Sequence, residues 1–315
     1  MIKNEMSQPV LPDRVALAEK PWGHTGGCRV PRILGMLRAL LILSIFHSAV
    51  PARAGEGSSP GRAGKAPTAP TLEVTFLIHD GFLLRSDGRT VLIDAFVEVG
   101  EASRGSLPPE VYEEMLAGNP PFSSVLLSLA SHAHNDHFEP TVAGSFLRKH
   151  PETVLASSPD VLEALRADYP EYEAVKDQLK EVRTEKNEIV SLTLSGIRVD
   201  FLQFGHQASL FYPEKVLGHI VHLGGKKILH FGDSELLIER LEPYHLESRG
   251  IDVAFLPSWF FESENARAIL EKHIGAEKLI AMRLPPSEME EAISAVSGRF
   301  PDVLFLKTPM QSLEF

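Results

Sequence analysis

The segment at residues 131–138, SHAHNDHF, concentrates side chains that bind metal ions. His132 and His134 are two positions apart directly after an apolar run, and Asp136 and His137 follow at once. Residues two apart in an extended chain point to the same side, so both imidazoles can reach one ion. Imidazole and carboxylate are the ligands expected for zinc and similar divalent ions. The segment therefore predicts a metal site, with a polar loop that holds three histidines as the simpler alternative.

The elements that position this segment follow from hydrophobic pattern and turn residues. The apolar run at residues 123–130 is typical of a buried strand, and it ends at the histidines. Further strands are predicted at residues 72–78, 81–86, 89–96, 188–205 (two strands around Ser195 and Gly196), 216–223, 226–232, 252–257, 278–282 and 303–307. Helices are predicted at residues 139–150, 158–169 with Ser158 as N-cap, 234–245, 264–275 and 286–300. Strands first, then helices alternating with strands, indicate a layered α/β fold.

The N-terminal region predicts export. Met36 and a basic residue precede an apolar run at residues 39–50, and Ala52 and Ala54 follow in an A-x-A arrangement. These are the parts of a secretory signal peptide, although an uncleaved anchor is the alternative. A Gly-, Pro-, Ser- and Ala-rich stretch follows and predicts a flexible linker. The predicted divisions are a leader at residues 1–54 with its signal at 36–54, a linker at 55–70 and a single domain at 71–315.

Charge and cysteine content narrow the function classes. The chain has a formal net charge of −11, and the leader carries seven basic and three acidic residues, which leaves −15 for the mature protein. An acidic surface repels a phosphate backbone, so nucleic acid is not expected as a partner. Cys28 is the single cysteine, which excludes a disulfide framework and a multi-cysteine zinc site. We expect a small-molecule substrate and no stable membrane insertion after signal cleavage, and the sequence does not fix the oligomeric state.

The complete H-x-H-x-D-H motif at residues 132–137 resembles the first metal motif of the metallo-β-lactamase superfamily. The resemblance continues over nearly all of the mature chain. Residues 76–96 resemble the opening hairpin of that family, with Asp94 at the end of its third strand. The stretch FGHQ supplies His206 and LHFGDSE supplies Asp233, each at a predicted strand end. The resemblance implies a four-layer αββα sandwich, the metallo-β-lactamase fold.

The same resemblance implies a set of metal ligands and one departure from it. The family's last metal histidine is replaced in LIAMRLP by Arg283. Arginine has no lone pair and stays protonated, so it can neutralise Asp136 or Asp233, or hold an anionic group, but cannot bind a cation. We therefore expect a strong first site and a weak or empty second one. The implied ligands are His132, His134 and His206 for the first site, and Asp136, His137 and Asp233 for the second.

The implied function is that of an exported hydrolase, periplasmic or secreted, which uses a metal-activated water on an ester, lactone or phosphoester-type bond. Its motifs are closest in style to the lactonase and phosphodiesterase-like branch. Asp136 would orient the water and Arg283 would stabilise charge that develops on the reacting centre. The implied cofactor is one or two divalent ions, zinc first, with manganese or iron as alternatives. The competing interpretation is a non-catalytic metal- or ligand-binding protein on the same scaffold, with a decayed second metal site.

Four features have two interpretations at this point. Residues 98–122 are either a rim loop that could act as a lid or a structurally packed insertion. The aromatic stretch at residues 257–261 either walls a pocket or anchors the core. His79 either lines the site or is an ordinary packed or solvated residue. His273 is either a replacement ligand or a histidine favoured by the dipole at a helix end.

Overall fold

The computed structural model describes residues 70–207 and 215–315 of the chain. The predicted leader and nearly all of the predicted linker lie outside the described residues. The strands of the first half of the described chain are β1 (Glu73–Ile78), β2 (Gly81–Ser86), β3 (Arg89–Ile93), β4 (Val125–Leu129), β5 (Val154–Ser157), β6 (Leu179–Glu181) and β7 (Ile189–Leu194). Those of the second half are β8 (Ile197–Gly205), β9 (Lys215–Leu223), β10 (Lys226–His230), β11 (Val253–Pro257), β12 (Lys278–Met282), β13 (Leu304–Phe305) and β14 (Ser312–Glu314).

These strands form two mixed sheets. The first has the order β14-β1-β2-β3-β4-β5-β6, antiparallel as far as β3 and parallel from β3 to β6. The second has the order β13-β12-β11-β10-β9-β8-β7, antiparallel from β7 to β10 and parallel from β10 to β13. The helices are α1 (Pro109–Ala117), α2 (Pro140–Lys149), α3 (Pro159–Asp168), α4 (Ile238–Leu241), α5 (Ala266–His273) and α6 (Met289–Arg299). Two mixed sheets flanked by helices confirm the predicted α/β sandwich.

The core consists of two hydrophobic clusters, and strand β2 shows why. Successive side chains of a strand point to opposite faces of its sheet. Phe82 and Leu84 accordingly join the cluster shared with the second sheet, whereas Leu83 joins the cluster under the helices of the first. The Phe82 ring lies 4.2 Å from that of Phe255 on β11, which fixes one sheet against the other. A strand that is apolar on both faces must be covered on both sides. The first sheet is therefore covered by the second sheet on one face and by helices on the other.

Helix starts follow the predicted chemistry. Ser158 accepts a hydrogen bond from the backbone of Val161 at the start of α3, as expected of an N-cap. Glu139 does the same for Val142 at the start of α2, and a proline follows each cap in the first turn. None of the helices in the described ranges is long and apolar enough to cross a membrane.

Several predicted elements are corrected. The helix predicted at residues 234–245 is reduced to α4 and a 3₁₀ turn at Glu242–Tyr244, because Ser234 and Glu235 pair with the end of β8 instead. The strand predicted at residues 303–307 is only the two residues of β13. Strands β5, β6 and β14 were not predicted. They are three or four residues long, and pairing with distant segments specifies them rather than their own pattern.

The insertion at residues 98–122 and the aromatic stretch at residues 257–261 are both packed into the core. In the insertion at residues 98–122, Leu107, Met115 and Phe122 are fully buried in the cluster under the first sheet. Phe260 and Phe261 are likewise buried in the central core. The insertion and the aromatic stretch are therefore structural parts of the fold.

Candidate metal centre

The predicted site residues meet because the strands that carry them end at one edge of the two sheets. Asp94 follows β3, the histidine motif follows β4, and these strands are parallel. In the second sheet, Asp233 follows β10 and Arg283 follows β12, again in a parallel set. β8 runs in the same direction as β10, because both are antiparallel to β9, so His206 emerges at this edge as well. Carboxyl ends of parallel strands are the usual place for a site in such folds.

His132, His134 and His206 form the first group. One ring nitrogen of each lies within 4.8 Å of those of the other two. His132 Nε2 and His134 Nδ1 are 3.0 Å apart. His206 donates from Nδ1 to the carbonyl of Gln207, which leaves its Nε2 as the nitrogen with a lone pair. Burial lowers the pKa of His132 to about 2, so its imidazole is neutral, as a metal ligand must be.

His132, His137 and Asp233 form a second group that also lies within 4.8 Å. The sequence predicted Asp136, His137 and Asp233 for this position. His137 and Asp233 are together as expected, with His137 Nε2 3.4 Å from Asp233 Oδ1. Asp136 belongs to neither group found among the described residues, and its assignment as a ligand stays a prediction. The other ligand assignments stay predictions that the geometry allows.

Arg283 accounts for the position of Asp136. Its NH1 lies 2.6 Å from Asp136 Oδ2 and its NH2 lies 2.9 Å from Asp233 Oδ2. The guanidinium thus pairs with both carboxylates named at the sequence level. Burial acts to lower the pKa of Arg283, but the charges of Asp80, Asp233 and Asp136 outweigh it and raise that pKa above its ordinary value. A permanent cation therefore holds Asp136 at the rim of the site.

Asp94 and Ser131 orient the histidines from behind. Asp94 accepts hydrogen bonds from the Ser131 backbone N–H at 2.7 Å, from Ser131 Oγ at 2.6 Å and from His137 Nδ1 at 2.9 Å. Burial opposes ionisation, but these bonds and the charge of His137 hold the pKa of Asp94 well below its usual range. A carboxylate on Nδ1 fixes the ring so that Nε2 faces the group. The sequence located Asp94 but gave Ser131 no role.

Asp80 is the residue that sequence reasoning missed. It lies in the turn between β1 and β2, at the same edge as Asp94, and its side chain is 0% exposed. Its Oδ2 is 3.4 Å from His137 Nε2. Burial and the neighbouring Asp233 carboxylate raise the pKa of Asp80 well above its usual range. The available signal was its strand-end position directly after His79, beside the predicted site.

His79 lies close to the charged groups of the site. Burial and the charge of Arg283 lower its pKa, and the charge of Asp136 acts in the opposite direction. Its ring lies against Gly105, where an added Cβ would fall 2.1 Å from His79 Nε2. His79, Asp94 and Arg283 all have φ between 45° and 59°, a backbone region that residues other than glycine seldom adopt. Such strain gathers at functional sites.

The remaining histidines are outside the two groups. His230 accepts from the Gly232 N–H at Nδ1, so its Nε2–H donates to the Asp80 carbonyl at 2.9 Å, which ties the Asp80 turn to the second sheet. His219 is fully buried on β9, and neither ring nitrogen has a hydrogen-bond partner among the described residues. His273 is a buried residue of α5 and joins neither described group.

The groups open to solvent through a cleft of about 510 Å³, whose lining includes Asn135 and Ala133 beside the site residues His134, Asp136, His206, Asp233 and Arg283. The fit to a divalent cation rests on the donors themselves. Imidazole and carboxylate atoms converge within 4.8 Å, and the unpartnered His137 Nε2 and Asp233 Oδ1 lie buried among them in the described chain. This donor set suits a divalent metal ion.

Solved structures share this fold. A metallo hydrolase, Igni18 from the archaeon Ignicoccus hospitalis, is similar to 78% of this chain over 98% of its own, at 18% identity and a TM-score of 0.53. An isothiocyanate hydrolase from Delia radicum gut bacteria is similar to 77% of this chain over 99% of its own, at 14% identity and a TM-score of 0.52. At these identities the likeness concerns the fold.

The search of curated proteins gave no match. The family model described as the beta-lactamase superfamily domain matches residues 89–300, well over half of the chain. That range includes Asp94, the histidine motif, His206, Asp233 and Arg283. With the fold and the converging strand ends, this match shows that the chain belongs to the beta-lactamase superfamily, whose fold is that of the metallo-hydrolases.

Proposed function

We propose that this protein is a metal-dependent hydrolase that acts on an ester, lactone or phosphoester-type bond. The observation that carries the proposal is the group of His132, His134 and His206 beside an open cleft. His134 and His206 line this cleft together with Asp136 and Arg283. The hydrolase names of two structures with this fold agree with it. A protein that only binds a ligand has no evident need for an ionised carboxylate and an arginine beside the histidines.

His132, His134 and His206 would hold the ion. When bound, a divalent ion polarises the bond under attack as a Lewis acid and lowers the pKa of a water from about 15.7 towards about 7. These histidines stay neutral and oriented through their other ring nitrogens, as in the hydrogen bond from His206 to Gln207. We propose zinc, because nitrogen-rich sites of this type suit it, with manganese or iron as alternatives.

Asp136 acts on the reacting groups, and Arg283 acts through Asp136 and Asp233. Burial opposes ionisation of Asp136, but the charges of His137 and Arg283 outweigh it and lower the pKa of that carboxyl. Asp136 is therefore anionic at neutral pH and accepts a hydrogen bond from the attacking water. It is a weak base, so its part is to orient the water. Arg283 keeps Asp136 and Asp233 ionised and in place.

Among the three bond classes we favour carboxyl esters and lactones. Arg283 uses both terminal nitrogens on Asp136 and Asp233, and is poorly placed to clamp a phosphate. The carboxylates at this strand edge further disfavour a dianionic substrate. This preference agrees with the lactonase side of the branch that the motifs resemble.

We also propose that the protein is exported to the periplasm or secreted. The proposal depends on the apolar run at residues 39–50 and the A-x-A arrangement that follows it. N-terminal sequencing of protein purified from the cell envelope and medium tests it. A mature terminus at residue 55 is expected, and a cytoplasmic protein that retains residues 1–54 would refute it.

The experiment for the activity uses protein loaded with zinc, manganese or iron(II) and three probes: p-nitrophenyl acetate, a γ-lactone and bis(p-nitrophenyl) phosphate. We expect turnover of the ester or lactone that a chelator abolishes and that His206→Ala lowers by at least two orders of magnitude. Replacement of the exposed His245, which lies outside the described groups, is the matched control and should leave the rate unchanged. A protein that binds metal and turns over none of the probes favours the non-catalytic alternative.

A further inference from the structure

Several buried polar atoms beside the first histidine group lack partners. They belong to three side chains, Asp80, His137 and Asp233. Both carboxylate oxygens of Asp80, Oδ1 of Asp233 and Nε2 of His137 are buried without a hydrogen bond in the described ranges. Leaving such atoms unsatisfied is energetically costly, so clusters of them are rare in folded proteins. An occupant that satisfies all of them is expected at this position.

The spacing of these atoms identifies the kind of occupant. His137 Nε2 lies 3.4 Å from Asp80 Oδ2 and 3.4 Å from Asp233 Oδ1. Ordinary hydrogen bonds from nitrogen to oxygen are shorter, at about 2.7–3.2 Å. A tetrahedral ion with bonds of about 2.0–2.1 Å separates its ligand atoms by about 3.3–3.4 Å. Both distances, which share His137 Nε2, therefore match the edge length of a coordination tetrahedron.

Neighbouring residues fix the orientation of His137 and of the Asp80 turn. Asp94 holds His137 by Nδ1, so Nε2 faces the two carboxylates. His230 holds the backbone of Asp80 through its carbonyl, which leaves the carboxylate to the interior. Asp136, the carboxylate that the motif supplies for a second ion, is instead drawn towards Arg283.

We propose that Asp80 is a metal ligand and completes, with His137 and Asp233, a second and buried divalent-cation site. Arg283 stands where the family has its last metal histidine, and it pairs with Asp136. Asp80 supplies a carboxylate ligand in their place. The site would take zinc or a similar ion with mixed nitrogen and oxygen ligands. This proposal rests on the proposed function, which supplies the first metal site. The ligands of the second site, Asp80, His137 and Asp233, are distinct from His134 and His206 of the first. It revises the sequence expectation of a weak or empty second site.

The test is metal stoichiometry by elemental analysis, after incubation of the full chain with zinc and removal of free ion. Wild type should hold two ions and Asp80→Asn one. Asp136→Asn, a carboxylate-to-amide change at the rim, is the matched control and should still hold two. His134→Ala should hold one, because the buried site remains, and the double variant Asp80→Asn with His134→Ala should hold none. Circular dichroism of each variant checks that it is folded.

The outcomes separate this inference from the proposed function. If wild type holds one ion, His134→Ala none and Asp80→Asn one, the first site stands and Asp80 is not a ligand. If wild type holds no ion, both proposals fall together. If Asp80→Asn does not fold, cobalt titration of the wild type decides: two successive changes in the visible spectrum support the buried site, and a single change at one equivalent refutes it.

Discussion

Replacing Arg283 with methionine removes the guanidinium but keeps a side chain of similar length. Asp233 is 4% exposed, and breaking a buried ion pair from one side costs about 3–5 kcal/mol. Asp136 is 39% exposed, so its pair contributes only about 0.2–1 kcal/mol. His137, 3.4 Å from Asp233, takes up part of the uncovered charge. We therefore expect the free energy of unfolding of the metal-free protein to fall by about 3 kcal/mol, mostly through Asp233.

Urea unfolding in the presence of a chelator, followed by far-ultraviolet circular dichroism at pH 7, measures this difference. Asp136→Asn removes only the exposed pair and should cost less than about 1 kcal/mol. Saturating zinc should narrow the gap between Arg283→Met and wild type, because a bound cation neutralises the same carboxylates. The reasoning is refuted if Arg283→Met costs less than about 1 kcal/mol, or if Asp136→Asn costs as much as Arg283→Met.

Three further outcomes are expected. Burial lowers the pKa of His219 to about 3, whereas its value in the unfolded chain is about 6.5, so the unfolded state binds a proton first and stability falls as pH drops from about 6.5 to about 3. In urea titrations over this range, the free energy of unfolding of His219→Leu should fall by about 1.4 kcal/mol less per pH unit than that of wild type. Equal slopes for the two proteins would contradict this. Gly105→Ala should lower the free energy of unfolding more than Gly88→Ala does. Both glycines have positive φ, but only at Gly105 would the new Cβ meet His79. Equal decreases in the free energy of unfolding would argue against that contact. Zinc at 100 times the Kd of the first site should stabilise wild type through that site by about 2.7 kcal/mol in thermal unfolding, and His206→Ala should lose that part of the gain; an undiminished gain would remove His206 from the ligands.

Strand ends were the most predictable part of the molecule. The run at residues 123–130 marks β4, and its local pattern alone places the motif that follows at a sheet edge. The same logic places His206 and Asp233 after β8 and β10. Local pattern sufficed here because a buried strand is apolar along its length and its end is marked by the first polar residues.

Elements and contacts that depend on distant partners were not predictable in this way. β14 has only three residues and exists because it pairs with β1, more than two hundred positions earlier. The helix predicted at residues 234–245 gave way to pairing of Ser234 and Glu235 with the end of β8. Tertiary hydrogen bonds override weak local propensity in such segments.

The sequence by itself determined which chemistry is present: the imidazoles of the motif, the lone pairs they offer, and an arginine in place of a further ligand. It also indicated that Arg283 would pair with Asp136 or Asp233. Only the tertiary structure decided that Arg283 contacts both. It also decided that Asp80, sealed from water in the turn after β1, faces His137. Side-chain type is a local property, but the partner that a charge finds depends on which groups folding brings within a few ångströms of it, and on how much water it removes from between them.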